Sequence, residues 1–138
     1  PAEPRTAATA ALTLQVEVSY GGRWDIVQAA RRLAAECASG ALRPAEIDED
    51  RFGAALELGE LPDADLLIRT GGERRISNFL LWNIAYAELY FSDRLWPDFD
   101  RAALSAALEF FAGRERRFGL TTGQLPQAGP EAAPAAKR

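Results

Sequence analysis

The segment DLLIRTGGERRISNFLLWNIAYAELY, residues 65–90, contains a short apolar run, a Gly-Gly pair and a longer apolar stretch. The run LLI at residues 66–68 lies between Pro62 and the glycines at 71–72, which is typical of a buried strand in a parallel sheet. Ser77 is a favourable N-cap for a following helix. The apolar residues of that predicted helix are Phe79, Leu80, Trp82, Ile84 and Tyr86. The segment therefore predicts strand, loop and helix in succession.

Basic and hydroxyl side chains gather where the predicted strand ends. Arg69 closes the strand, and Arg75 and Ser77 follow the Gly-Gly pair. Ligands of open α/β sheets bind beyond the carboxyl ends of the strands, and a helix N-terminus attracts anions. Arginine forks match phosphate oxygens in geometry and charge. The arrangement predicts a phosphate site, although arginines beside a Gly-Gly pair more often belong to a solvated turn.

The composition limits the chain to one domain at most and excludes several kinds of site. The 138 residues are 48% hydrophobic and 26% charged, and the net charge of −4 argues against nucleic-acid binding. The absence of histidine excludes a Ser-His-Asp triad and a His-ligated zinc within this sequence. Cys37 is the single cysteine, so a disulfide framework is excluded and a small core residue is the simplest interpretation.

Three elements are predicted before this segment. Alternating apolar residues predict a strand at residues 12–19, followed by a tight Gly-Gly turn rather than a ligand contact. Helical spacing predicts a helix at residues 24–39 that ends at Gly40. Its predicted core stripe is Ile26, Ala30, Leu33 and Cys37. Asp48 is the predicted N-cap of a short helix that carries Phe52.

Two more elements are predicted after it. Residues 89–91 form a brief predicted strand, and residues 95–99 an aromatic turn. Asp100 is the predicted N-cap of a last helix that ends in the basic residues of 114–117. The predicted core positions of this helix are Leu104, Leu108 and Phe111.

The central segment and three shorter ones resemble the cis-prenyltransferase (isoprenyl transferase) family. The motifs are RTGGERRISNFLLWNIAYAELYF at 69–91, SYGGRWDIV at 19–27, LWPDFD at 95–100 and RERRFG at 114–119. They occur in the family's order and cover roughly residues 12–121. The resemblance implies an α/β fold in which helices flank a mostly parallel sheet.

The resemblance also assigns roles to individual residues. In the family, the arginine before TGG, the arginine before the Ile-Ser pair and that serine bind the diphosphate of isopentenyl diphosphate. This implies substrate binding by Arg69, Arg75 and Ser77. The glutamate of AYAE helps to bind Mg²⁺, which implies a metal role for Glu88; without the resemblance, Glu88 is interpreted as a surface carboxylate at the end of a helix.

The basic ending of the last helix has two interpretations. The helix dipole alone favours arginines in a last turn. By resemblance, Arg117 and Gly119 belong to an Arg-x-Gly signature that reaches across a homodimer toward the partner's diphosphate site. The residues themselves leave both interpretations open.

The activity implied by the resemblance is a Mg²⁺-dependent prenyltransferase. It would add isopentenyl diphosphate successively to an allylic diphosphate such as farnesyl diphosphate, forming cis double bonds and a polyprenyl diphosphate, the precursor of a lipid carrier for cell-wall synthesis. A cytoplasmic homodimer is implied, with no transmembrane segment and with peripheral membrane contact for product release. The alternatives are a non-catalytic scaffold subunit of a heteromeric cis-prenyltransferase and a generic phosphate-binding α/β module.

The chain is expected to be the C-terminal part of a single cis-prenyltransferase domain. It has no HGNGRW-like loop, whose neighbouring aspartate binds the Mg²⁺–diphosphate of the allylic substrate in relatives. Catalytic residues are therefore expected in a preceding N-terminal half, and the 138 residues alone are expected to be inactive. Residues 12–121 are predicted to be the folded part, with a flexible lead at 1–11 and a disordered tail at 122–138.

Overall fold

A computed structural model describes residues 12–114 of the chain. These residues form two compact units. The first unit contains residues 12–62 and 76–83, and the second contains residues 63–75 and 84–114. The chain therefore passes from one unit to the other three times.

The longest element of the first unit is helix α1, Gly22–Ala38. It confirms the helix predicted at residues 24–39, and Gly40, with a φ of 77°, follows its end as expected. The buried residues of α1 are Gly22, Asp25, Ala29 and Leu33. The predicted core stripe is wrong at Ala30, which is exposed. The buried face of α1 is therefore rotated relative to the predicted stripe. It includes Asp25, a charged residue that apolar periodicity does not detect.

The short helix α2, Glu49–Ala54, is capped as predicted. Asp48 has an extended backbone, and its Oδ1 accepts a hydrogen bond of 2.8 Å from the N–H of Arg51. Phe52 of α2 packs on Trp82 with ring centroids 4.7 Å apart. A 3₁₀ helix, Pro44–Glu46, precedes α2 in the chain.

Residues 12–19 do not form the predicted strand. The apolar side chains of this segment, Leu12, Leu14, Val16 and Val18, are between 67% and 85% exposed. A strand is stable only when a neighbouring strand satisfies its backbone groups. The sheet within the described residues has two strands, and neither comes from this segment. Alternating hydrophobicity indicates strand propensity but does not supply the partner.

Residues 77–86 form consecutive turns and bends instead of the predicted helix. Ser77, Asn78 and Leu80 have φ values of 53°, 65° and 45°. A right-handed helix cannot contain such left-handed residues, and an N-cap requires extended backbone, so Ser77 is not an N-cap. Of the apolar residues of the predicted helix, Ile84 is buried and Tyr86 is 66% exposed.

The second unit contains two parallel strands, β1 at Leu66–Arg69 and β2 at Glu88–Phe91. They confirm the strands predicted at residues 66–68 and 89–91. The register pairs Leu66 with Glu88 and Arg69 with Phe91. Parallel pairing together with helices confirms the predicted α/β class. The residues of both strands are half-buried, whereas the sequence predicts β1 as a buried strand.

Helix α3, Arg101–Ala112, completes the second unit and follows a 3₁₀ helix at Trp96–Asp98. Asp100 caps α3 as predicted, since its Oδ1 accepts a hydrogen bond of 2.8 Å from the N–H of Ala103. The buried residues of α3 are Ala103 and Ala107. Leu104 and Leu108, which the spacing predicts as core, are 43% and 51% exposed. The two alanines are the buried side chains because small residues allow close packing of a helix.

Four predictions fall on residues that the structure does not describe. They are the lead at 1–11, the tail at 122–138, and the roles of Arg117 and Gly119. Within residues 12–114, no helix has both the length and the apolar character needed to cross a bilayer.

Candidate functional site

The Gly71-Gly72 pair turns the chain at the end of β1. Both residues have left-handed φ values, 87° and 76°, which glycine adopts without steric cost. The N–H of Gly71 donates to the carbonyl of Arg94 at 2.7 Å, and the N–H of Gly72 donates to the carbonyl of Ser92 at 3.0 Å. Because these amides are paired with backbone, a phosphate near the turn has to be bound by side chains.

Arg69 and Arg75 are brought together across this turn. Arg69 is the last residue of β1 and is half-buried, and its Nη1 donates a hydrogen bond to the backbone carbonyl of Arg75. The guanidinium of Arg69 thus holds the backbone at Arg75. A side chain-to-backbone bond that the sequence does not reveal thus links the two arginine positions, and their joint role as substrate ligands stays a prediction.

The guanidinium of Arg75 is open to solvent and pairs with the carboxylate of Glu73. The side chain is 68% exposed, and its Nη1 lies 2.5 Å from Oε2 of Glu73, which is 42% exposed. Ion pairs at such exposure contribute about 0–1 kcal/mol, because water screens them. Arg75 is therefore available to an anion that carries more charge than a single carboxylate.

Ser77 belongs to the first unit, whereas Arg69 and Arg75 belong to the second. It is exposed, and its backbone has a φ of 53°. Left-handed backbone at a residue other than glycine is uncommon and is concentrated at binding sites and tight turns. The role of Ser77 as a phosphate ligand stays a prediction, and its unusual backbone agrees with a specialised position.

Glu88, the residue implied as a metal ligand, begins β2 instead of ending a helix. Its N–H donates to the carbonyl of Asp65 at 2.9 Å, which continues the ladder between β1 and β2. Its side chain is 19% exposed, and Oε2 accepts a hydrogen bond of 2.9 Å from Nε of Arg114. The guanidinium of Arg114 also lies over the ring of Phe110, 5.6 Å from its centroid.

The donor set around Glu88 is compatible with Mg²⁺ but does not form a protein cage. Residues 12–114 contain no group of three or more His, Cys, Asp or Glu side chains that could hold a metal ion. Mg²⁺ sites commonly use one or two carboxylates and complete their coordination with water and substrate phosphates. A partly exposed carboxylate oxygen such as that of Glu88 fits the role of one such ligand.

Asp25 is a buried acid at the start of α1 that apolar patterning does not identify. It is 1% exposed, and both its oxygens are satisfied. The hydroxyl of Tyr20 donates to Oδ2 at 2.8 Å, and the N–H of Glu57 donates to Oδ1 at 2.9 Å. Burial raises the pKa of Tyr20, and the hydrogen bond to Asp25 raises it further. Asp25 therefore ties the turn before α1 to the chain beyond α2.

Asn78 is a second residue without a role in the predictions. Its backbone carbonyl accepts from the N–H of Gly22 at 2.7 Å, and its Oδ1 accepts from the N–H of Arg23 at 2.8 Å. A Cβ added at Gly22 would lie 3.0 Å from Leu81, so glycine at this position relieves a tight approach. The interpretation of Gly21-Gly22 as a tight turn agrees with this geometry. An Asn directly after Ser77 is itself a signal, since Asn tolerates left-handed backbone.

Comparisons with known proteins identify the sequence family of these features. A family model for undecaprenyl diphosphate synthases matches residues 1–119. The ditrans,polycis-undecaprenyl-diphosphate synthase ((2E,6E)-farnesyl-diphosphate specific) of Salmonella paratyphi A is 60% identical over 119 residues, which cover 86% of this chain and 47% of the relative. The isoprenyl transferase of Neisseria gonorrhoeae is 59% identical over 125 residues, or 91% and 48% of the two chains. The chain thus spans about half the length of the curated relatives it matches.

Two crystal structures show similar folds. One is lavandulyl diphosphate synthase from Lavandula x intermedia in complex with dimethylallyl diphosphate, with a TM-score of 0.71 and 48% identity, covering 74% of this chain and 44% of that one. The other is a probable undecaprenyl diphosphate synthase from Campylobacter jejuni, with a TM-score of 0.70 and 37% identity, covering 85% and 52%.

Proposed function

This chain belongs to the undecaprenyl diphosphate synthase family of cis-prenyltransferases, and we propose that it takes part in condensing isopentenyl diphosphate with an allylic diphosphate. In this reaction the allylic C1–O bond breaks, and diphosphate leaves with the bonding electrons. C4 of isopentenyl diphosphate forms a bond to C1, and a proton is then lost from C2. The observation that carries the proposal is the bond from the guanidinium of Arg69, at the end of β1, to the backbone carbonyl of Arg75.

Arg69, Arg75 and Ser77 are proposed to bind the diphosphate of isopentenyl diphosphate. The two arginines offer guanidinium forks that match phosphate oxygens, and the serine offers a neutral donor. The bond from Arg69 to the carbonyl of Arg75 supports this role, because it orients one arginine with the help of the other. Fixing the diphosphate positions the double bond for attack, which lowers the entropic part of the barrier.

Arg75 has to exchange its acidic neighbour for the substrate. Its ion pair with Glu73 is solvent-exposed, so breaking it costs little. A diphosphate carries more negative charge than one carboxylate and accepts hydrogen bonds on several oxygens. Glu73 therefore holds the guanidinium of Arg75 without competing strongly for it.

Glu88 is the described residue proposed to hold Mg²⁺. The ion, when bound, would neutralise charge on the departing diphosphate. Glu88 supplies one oxygen to it, and the backbone bond to Asp65 fixes the start of β2 from which that oxygen projects. Arg114 competes with a cation for Oε2, because its Nε already donates a hydrogen bond to that atom.

Several finer features complete the proposal. Relatives from Salmonella and Xanthomonas are named as specific for (2E,6E)-farnesyl diphosphate, and we take this compound as the allylic substrate. Residues 12–121 would form part of one domain of a cytoplasmic homodimer. Arg117 and Gly119 would contact the partner's diphosphate site.

The direct test is product formation by the native gene product. Radiolabelled isopentenyl diphosphate, farnesyl diphosphate and Mg²⁺ are expected to give a labelled polyprenyl diphosphate, and a chelator is expected to abolish it. A scaffold subunit would give no product until an active partner is added. A generic phosphate-binding module would bind pyrophosphate and inorganic phosphate alike and would never extend the chain.

A further inference from the structure

The backbone of residues 77–80 has left-handed φ values that two of its residues, Ser77 and Leu80, disfavour. Ser77, Asn78 and Leu80 all have left-handed φ values, yet none of them is glycine. Such residues persist only where the surrounding structure holds them, and they concentrate at binding sites and switches. The contacts that hold this turn in place therefore also determine the backbone conformation of Ser77.

Asn78 makes those contacts with the first turn of α1. Its carbonyl oxygen accepts from the N–H of Gly22 at 2.7 Å, and its Oδ1 accepts from the N–H of Arg23 at 2.8 Å. Neither amide has a partner within the helix, because the first four N–H groups of an α-helix have no acceptor in the helix itself. The local N-cap, Gly21, has no side chain to satisfy them. Asn78 therefore caps α1 from a distant part of the chain, and α1 holds Asn78 in return.

Two further contacts fix the same junction. The ring of Phe79 packs edge-on against that of Tyr20, with centroids 5.9 Å apart. Gly22 lets the turn approach closely, since a Cβ there would lie 3.0 Å from both Cγ and N of Leu81. Asn78 is thus held through its backbone, its side chain and its neighbours, and Ser77 is one peptide unit away.

We propose that Asn78 is a positioning residue that holds Ser77 in its diphosphate-binding geometry through the start of α1. This inference rests on the proposed function, in which Ser77 binds the diphosphate of isopentenyl diphosphate. Asn78 itself does not need to touch substrate. Loss of its Oδ1 leaves the backbone of residues 77–78 held by one hydrogen bond instead of two, so the Ser77 hydroxyl is no longer fixed.

The test uses the native gene product and three single variants. Asn78→Gly keeps the left-handed backbone and removes only the side-chain acceptor. Asn78→Asp keeps the acceptor and is expected to restore most of the wild-type behaviour. Ser77→Ala removes the proposed ligand. We expect Ser77→Ala to raise the KM for isopentenyl diphosphate about tenfold or more, because its hydroxyl is proposed to donate to a charged diphosphate. Asn78→Gly loses one neutral hydrogen bond and should raise the same KM about three- to tenfold. The KM for farnesyl diphosphate should change less in both variants.

A double variant separates positioning from a merely structural role. If Asn78 acts through Ser77, then Ser77→Ala/Asn78→Gly has the same KM as Ser77→Ala alone, because the effects of coupled residues do not add. Additive effects, or a lowered unfolding temperature for Asn78→Gly with an unchanged KM, would overturn the inference. An unchanged KM for Ser77→Ala would overturn the role of Ser77 itself. A raised KM for Ser77→Ala with none for Asn78→Gly would leave the proposed function intact and remove the inference alone.

Discussion

Nε of Arg114 donates a hydrogen bond of 2.9 Å to Oε2 of Glu88, so the carboxylate proposed for metal binding already has a cationic partner. Arg114 is 55% exposed and Glu88 is 19% exposed. The pair therefore lies between an exposed ion pair, worth about 0–1 kcal/mol, and a buried one. A divalent cation has to compete with Arg114 for this oxygen.

Opposite substitutions in this pair are expected to move Mg²⁺ activation in opposite directions. Glu88→Gln removes the charge that attracts the cation, so half-maximal activity should require more Mg²⁺. Arg114→Gln removes the competitor, so it should require about two- to fivefold less. Activity titrated against Mg²⁺ measures both shifts, with the exposed helical Glu109→Gln as control. Identical curves for wild type and Glu88→Gln would mean that Glu88 serves only to pair with Arg114.

Neighbouring arginines provide a matched test of substrate binding. Arg75→Ala should raise the KM for isopentenyl diphosphate more than tenfold, because a charged hydrogen bond is worth about 1.5–3 kcal/mol. Arg74→Ala removes the same charge one residue away, and Arg74 is an exposed residue to which no binding role is assigned. Steady-state kinetics with both substrates varied compare the two. Equal effects would indicate general electrostatic attraction and would contradict a specific role for Arg75.

Two glycines of the first unit should respond oppositely to alanine. At Gly22 a Cβ would lie 3.0 Å from the backbone nitrogen of Leu81, so Gly22→Ala should reduce the free energy of unfolding by about 1–3 kcal/mol. At Gly53, within α2, the nearest atom is 3.4 Å away, so Gly53→Ala should stabilise by up to about 1 kcal/mol. Urea denaturation measures both. A neutral Gly22→Ala would show that the turn at residues 78–81 adapts without cost.

The Tyr20–Asp25 pair should make stability depend on alkaline pH. At pH 7, Tyr20→Phe leaves Oδ2 of buried Asp25 without its donor, at a cost of about 1–3 kcal/mol. Burial and the bond to Asp25 raise the pKa of Tyr20 above its usual value of 10.0. A raised folded pKa gives stability that is fully present below the unfolded pKa and is lost as pH rises toward the folded one. The difference between wild type and Tyr20→Phe should therefore shrink above about pH 10. A constant difference up to pH 11 would contradict this coupling.

The sequence predicts an element correctly when the groups that stabilise it are close in the sequence. Asp48 and Asp100 are N-caps as predicted, because capping depends on a residue and the amide three positions on. The LLI run forms β1 because its partner β2 lies within the same segment. The alternation at residues 12–19 fails as a strand because the pattern describes one face of a strand and no neighbour.

The sequence predicts which residues belong to the candidate site, but it does not predict the hydrogen bonds and backbone conformation that hold them. Arg69 and Arg75 follow from their place after an apolar run, yet the bond that joins them runs to a carbonyl. Ser77 is predicted as an N-cap because its residue type suits one, whereas its φ of 53° excludes it. Long-range contacts decide the difference: Oδ1 of Asn78 binds an amide 55 residues away, a separation that no periodicity spans.

The chain crosses between its two units three times, and these crossings affect the order in which the protein can fold. Residues 76–83 complete the first unit, but they follow β1, which belongs to the second. During synthesis α1 emerges long before Asn78, and closing the intervening loop has an entropic cost that grows with its length. The first turn of α1 is therefore expected to fray on the ribosome until residue 78 arrives. Helix capping and completion of the proposed substrate loop are then a single late event in folding.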